Sequence, residues 1–216
     1  MRQSFPAKQN QRNYGYEIGG IRLPKPASLY QLKITLEDIH PFIWRRFVVP
    51  ATIRLSRLHA VIQIVMGWED CHMHLFKAGE SMYGDDPEPT GHFRAETNVK
   101  LSDLLIKPKD WLRYDYDMGD SWSHKLLLEK ILESSSEMKP YSCLDAKRAC
   151  PPEDCGGWPG YENLLDVLAN RKHPEYSELK EWSGGSFDPE RVFVNDINHR
   201  LAVFSRGNWG VWVKTA

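Results

Sequence analysis

The sequence predicts an α+β fold: a mainly antiparallel, roll-like sheet, with one helix after the first strand pair and a helical C-terminal third. Three observations predict it. Apolar residues alternate with polar ones in several runs between residues 29 and 132, the mark of half-buried strands. Residues 55–68 break that alternation and repeat at helical spacing. Beyond residue 140, helical runs separated by Pro- and Gly-rich loops take over.

In order along the chain, residues 1–27 hold polar residues, glycines and "LPKPAS" without a sustained period, and read as an extended N-terminal arm. Residues 28–205 read as one domain and 206–216 as a tail, whose Trp209 and Trp212 are apolar enough to dock back on it. "LYQLKITLEDI" puts Leu32, Ile34 and Leu36 on one face, and His40-Pro41 ends it. "FIWRRFVVP" is a second strand, antiparallel to the first. In "LSRLHAVIQIVMGW", Leu58, Val61, Ile62 and Val65 make a helical stripe, with Ser56 as N-cap and Gly67 as terminator. "MHLFKAGESMYG" is a strand, a turn and a return strand; "SDLL" is one helical turn. "WLRYDYDM" and "SWSHKLLLEKIL" form a hairpin about Gly119-Asp120, a two-residue turn. That register places Asp115, Asp117, Trp122 and His124 on one face, and Leu112, Tyr114, Tyr116 and Met118 on the core face. "YENLLDVLAN" is helical. Pro174 and Asp188-Pro189 open two further helices, and Ile197, Leu201 and Phe204 form the stripe of the last.

The charge balance, 28 basic against 29 acidic residues, excludes a global pull toward nucleic acid or anionic membrane. No apolar run approaches the ~20 residues of a membrane helix, and the polar start lacks a secretory signal, so the expected compartment is the cytoplasm, with no membrane partner. Four cysteines are too few for a disulfide framework.

Several residues can carry chemistry. Asp117, Asp120 and His124 on the hairpin can act as acid and base or hold a metal, beside Trp122; a solvated tip would use the same residues. In "CHMH", His72 and His74 stand two apart on a strand and can share an ion. Cys143, Cys150 and Cys155 are spaced more widely than zinc knuckles, and read first as buried thiols and second as metal ligands that would clip the loop. "PPEDCGG" carries Glu153 and Asp154 on a constrained loop, and Trp44, Arg45, Arg46, Arg54 and Arg57 make a local basic cluster. Walker A, dinucleotide, HExxH and nucleophile-elbow motifs are absent.

Five ordered motifs resemble the plasmid pRiA4b ORF-3-like family: "YQLKITLEDIHPFIWRRFVVP", "LHAVIQIVMGWEDCHMHLF", "YDYDMGDSWSHKLLLEKIL", "CLDAKRACPPEDCGGWPGYENLLDVL" and "GGSFDPERVFVNDINHRL". The resemblance covers residues 29 to 202. It implies a single roll-like α+β domain, without an established activity, carrying names drawn from plasmids and transposon passengers. The family's characteristic positions correspond to Trp44, Arg45 and Arg46; Gly67, Trp68, His72 and His74; Asp117, Gly119, Asp120, Trp122 and His124; and Pro151 through Gly157. Three departures stand out: Met118 for Phe, "GGWPGY" for a Gly-Gly-Pro-Trp order, and Cys155 for Val.

Three functions follow. The first is a binding or adaptor domain for a protein or peptide, with a polar groove between the 111–128 hairpin and the 150–160 loop, lined by Trp44, Arg45, Arg46, Trp68, Asp117, Asp120, Trp122, His124, Glu153 and Asp154. The second is a metal-dependent hydrolase or nuclease using a divalent ion on His72, His74, Asp117, Asp120 and His124. The third is a DNA-associated protein of mobile elements, reading nucleic acid with Arg45, Arg46, Arg54 and Arg57.

Overall fold

Alternation is what builds the centre of the molecule. Leu32, Ile34 and Leu36 of strand β3 (Ser28–Leu36) are all fully buried, and Lys33 and Thr35 between them are not. The computed structural model describes residues 17–18, 21–22, 28–85, 93–134 and 138–207 of the chain. In the N-terminal stretch, β1 (Glu17–Ile18) and β2 (Ile21–Arg22) pair antiparallel with each other. The rest of the expected 1–27 arm, and Trp209 and Trp212 of the tail, lie outside the described residues.

The main sheet adds β4 (Trp44–Pro50), β5 (His74–Ala78), β6 (Ser81–Gly84), β7 (Phe93–Ala95), β8 (Trp111–Tyr116), β9 (Trp122–Glu133) and β10 (Ser142–Lys147). Its order is β10-β4-β3-β9-β8-β5-β6-β7, antiparallel throughout except for β6 with β7. The helices are α1 (Leu55–Met66), α2 (Leu101–Leu104), α3 (Gly157–Ala169), α4 (Tyr176–Trp182) and α5 (Val194–Ser205). The fold is thus mixed α+β, with a large, mostly antiparallel sheet and five helices among the described residues. One core joins the inward sheet residues to Leu58, Val61, Ile62 and Val65 of α1 and to Ile197, Leu201 and Phe204 of α5. The β10 edge is covered rather than left open: Asn198 of α5 accepts from Cys143 N at 2.7 Å and donates to Cys143 O at 2.9 Å.

Four local expectations are corrected. Ser56 does not cap α1. Arg54 occupies the N-cap without a side-chain bond, and the start is tied by Leu55 N donating to Val99 O. Asp188-Pro189 opens a turn, with Arg191 N on Asp188 O; Pro189 O also accepts from Ala149 N, and the helix waits until Val194. Pro174 precedes α4, because Tyr176 N closes a turn onto His173 O first.

The fourth correction concerns the hairpin. Tyr116 pairs with Trp122 and Tyr114 with His124, so the loop has five residues, 117–121, not two. Asp117, at φ 54°, accepts from Gly119 N (2.9 Å) and Asp120 N (3.3 Å) through Oδ1, building the loop around its own carboxylate. Against the expected pairing this is a slip of one residue, which moves Trp122 and His124 to the core face beside Tyr114 and Tyr116. Met118, expected in the core, sits exposed in the loop.

Candidate metal centre

Three connections converge at the hairpin tip: the 67–73 segment after α1, the hairpin's own 117–121 loop, and the 148–156 connection from β10 to α3. Each is fastened by specific bonds. Trp68 Nε1 donates to Pro151 O at 3.2 Å. Glu69 N donates to Glu153 Oε1 at 2.8 Å, and Tyr116 Oη donates to the same oxygen at 3.0 Å. Cys71 N donates to Tyr116 Oη at 3.2 Å, and Gly156 N to Asp120 Oδ2 at 3.1 Å. Gly157, at φ 66°, lies so close that a Cβ would stand 2.7 Å from Asp120 O. The groove expected between hairpin and loop is therefore closed at this point by direct contact.

At the junction stands His72. Its Nε2 is shielded from solvent and makes no hydrogen bond; the same is true of Glu153 Oε2. Around that nitrogen lie Asp154 Oδ1 at 3.2 Å, Asp117 Oδ2 at 3.6 Å and Glu153 Oε2 at 3.9 Å. Donors bound at ~2.0–2.2 Å to one ion stand roughly 3–3.5 Å apart; His72, Asp117 and Asp154 have donor atoms within 4.8 Å of one another, while Glu153 groups with His72 on the Cys71 side and must turn to join them. Cys71 Sγ belongs to the same neighbourhood, within 4.8 Å of donor atoms of His72 and Glu153. Burial pushes the Glu153 carboxyl up, against the bonds from Glu69 and Tyr116 that pull it down. Asp154, with 73% of its side chain exposed, leaves one side open to solvent.

The predicted residues divide sharply. His72 and Asp117 meet, with Glu153 and Asp154 from the expected groove. Asp120 is spent on Gly156. His74 points elsewhere: strand β5 begins only at His74, so His72 lies in the loop and the two share no face. His74 Nε2 bonds buried Glu96 at 2.8 Å, and its ring stacks on His59 at 3.5 Å. His124 is fully buried, edge-on to Trp68 at 5.0 Å, its Nδ1 donating to Tyr114 O. Burial lowers its pKa to about 4, which keeps the ring neutral.

Trp68 and Trp122 are core residues, stacked at 6.5 Å; Trp68, though buried, also lines a cavity behind the Glu153–Asp154 loop, as does Arg45. Arg45 is 1% exposed and donates to the carbonyls of Val65, Met66, Trp44 and Lys147. It caps the C-terminus of α1 from beneath, where the helix dipole favours a cation. Arg46 makes a bidentate pair with Glu129 at 2.6 and 3.0 Å, and Trp44 lies under Lys33 and Arg46 at the strand end. Arg54 donates to Thr97 O, and Arg57 lies over Tyr141 and Phe204. The four arginines expected as one basic cluster are thus each tied to separate partners. Desolvation raises the Cys143 thiol to about 11 and Cys155 to about 12, with Cys150 also well up, so all three stay protonated at neutral pH. Among the described residues, no cluster able to share an ion includes them.

A second polar group escaped sequence reasoning. His59 Nε2 meets Asp70 Oδ1 at 2.7 Å and its Nδ1 meets Tyr114 Oη at 2.8 Å. Gln63 donates to Tyr114 Oη and accepts from Asp70 N. The signal was present: His59 and Gln63 stand one turn apart on the buried stripe of α1. Through Asp70 this network holds the segment that presents His72.

The family model described as plasmid pRiA4b ORF-3-like protein matches residues 28–196. The uncharacterized protein y4hQ of Sinorhizobium fredii is 38% identical over 175 residues, covering 80% of this chain and 90% of that relative. The crystal structure of a protein of unknown function, MM3350 from Methanosarcina mazei Go1, is similar at a TM-score of 0.73 and 37% identity, over 79% of this chain and 97% of that one.

Proposed function

We propose that this chain, which belongs to the plasmid pRiA4b ORF-3-like family, binds a divalent cation through His72, Asp117 and Asp154, with Glu153 turning in as a fourth donor, and uses it for hydrolysis. One observation carries the reading: a shielded imidazole nitrogen without a hydrogen bond, facing carboxylate oxygens from two other segments at 3.2–3.9 Å. A buried polar atom left without a partner costs stability, and an ion removes that cost for His72 and Glu153 together. One nitrogen and several oxygens suit manganese, ferrous iron or zinc better than soft copper(I). An ion with an open side lowers the pKa of bound water and presents it as a nucleophile, which makes hydrolysis the reaction class.

The test is metal content of tag-free protein by plasma mass spectrometry, with calorimetric titration of Mn²⁺. Near-stoichiometric metal, lost in His72→Ala and retained in His74→Gln, supports the reading. Metal-free protein that takes up no Mn²⁺, Fe²⁺ or Zn²⁺ defeats it.

The adaptor reading keeps one observation of its own. Met73 is 74% exposed and Met118 47%, and Asp117 N donates to Met73 O, so two thioethers flank the hairpin tip in the open. Adaptable apolar side chains of this kind suit a protein or peptide partner. Capture of the same defined partner by wild type but not by Met73→Ser, Met118→Ser would favour it.

A further inference from the structure

Behind the Glu153–Asp154 loop, away from the hairpin, lies a cavity of about 770 Å³. One wall is the end of α1 and the loop itself, including Glu69, Glu153 and Asp154; the other comes from residues 182–200. The cavity and the His72 cluster therefore share two carboxylates. The far wall differs in character. Trp182 and Phe193 are large aromatics left 47% and 51% exposed at its rim. Arg191 holds its guanidinium over the Phe193 ring at 4.9 Å, and Arg200 and Asp196 also line the cavity. Gly184 adds no side chain, and a Cβ there would meet nothing within 4 Å. The site thus offers flat apolar surface, a cation, and two carboxylates that reach the His72 cluster. A molecule that satisfies all three has an aromatic ring system and an anionic group able to bridge a metal and a guanidinium.

We infer that this cavity binds a nucleoside 5′-phosphate, its base against Trp182 and Phe193 and its phosphate between Arg191 and an ion held by His72, Asp117 and Asp154, reached through Asp154 at the cavity wall. The inference rests on the proposed metal site for the phosphate end only. Stacking on aromatic side chains accepts any base, since every base has a π face, and the arginine adds cation–π and phosphate contacts. Without the ion, the Glu69, Glu153 and Asp154 carboxylates repel the phosphate. Nucleotide and metal therefore strengthen each other's binding by the same factor.

Adenosine and adenosine 5′-monophosphate are the probes, titrated into the full chain and followed by tryptophan fluorescence and calorimetry, in EDTA and in Mn²⁺. Adenosine binds in both media. Adenosine monophosphate binds weakly in EDTA and at least tenfold more tightly in Mn²⁺. Trp182→Ala and Phe193→Ala each weaken both ligands about tenfold and leave Mn²⁺ affinity unchanged; Arg191→Ala weakens the monophosphate alone. These positions are surface-exposed, so the variants fold. If Mn²⁺ binds but neither probe does, the inference is overturned and the metal site stands. Adenosine binding that needs Trp182, in a protein that takes up no metal, overturns the metal reading and keeps the aromatic shelf. Inorganic phosphate competing as well as the nucleotide overturns the inference.

Discussion

Arg45 and Arg46 are neighbours of one residue type with opposite fates. Arg45 is in phase with Phe47 and Val49, which are fully buried, so the alternation of "WRRFVV" did point it inward. What the sequence could not supply was the reason: four carbonyls at the end of α1, from three segments, waiting for a guanidinium. Arg45→Met keeps the bulk but strands those carbonyls, and should cost about 3 kcal/mol or more in urea unfolding. Arg46→Met loses two partly exposed pairs, to Glu129 and Asp145, and should cost about 1 kcal/mol, well below Arg45→Met. His124 supplies a pH prediction. Its folded pKa, about 4, lies below the ordinary ~6.5. Between those values the unfolded chain binds the extra proton, so stability rises with pH across that window and is lost as pH falls. Some 2.5 units correspond to about 3 kcal/mol. Stability curves from pH 4 to 7 should be flatter for His124→Phe than for wild type over that interval. Equal slopes would show that the proton is taken up elsewhere.

At the scale of elements, the error in reading the hairpin was one of parity. Both readings give two strands of sound pattern; they differ by one residue, and that reverses which residues face the core. A clue was available in Leu126 and Leu128, which share a face with His124 and are fully buried. The five-residue loop depends on Asp117 folding back onto Gly119 and Asp120, a local bond that competes directly with a tight turn. The next element was less legible still. Helix α3 begins at Gly157, so the inverted "GGWPGY" order puts Pro159 in the first turn, where its missing N–H is not needed. The close approach of Gly157 to Asp120 O comes from the packing of loop on hairpin, which no local pattern contains. Gly157→Ala should therefore cost about 1–3 kcal/mol, combining an unfavourable positive φ with a backbone clash. Hydrogen exchange should show faster opening of residues 150–157 and 117–121 together. An effect confined to α3 would mean the two loops are not coupled.

For the whole molecule, the sheet order explains why a candidate metal site exists at all. β10 is at one edge and β8 lies four strands inward, beyond β4, β3 and β9, yet the connection leaving β10 returns across that span to meet the hairpin tip. His72, Asp117 and Glu153–Asp154 thus come from segments far apart in sequence and joined only by tertiary structure. Sequence reading found His72 and Asp117 as ligands and Glu153 and Asp154 as a separate group, because spacing along the chain says nothing about such a return crossing. The same topology sets the final prediction. An ion bound by three distant segments binds the folded chain and not the unfolded one, so it must stabilise the fold as a unit. Free Mn²⁺ at a hundred times its dissociation constant should add about 2.7 kcal/mol, raising the melting temperature, and EDTA should reverse it. His72→Ala should abolish the response. Since burial holds the Glu153 carboxyl above its ordinary range, protons compete with the ion at higher pH than for an exposed glutamate. Mn²⁺ stabilisation should accordingly be full at neutral pH and fade as pH falls through that raised value. Melting curves with and without Mn²⁺ from pH 4 to 8 check both the size and the direction. A melting temperature indifferent to Mn²⁺ at every pH would leave the four donors as a purely structural clasp.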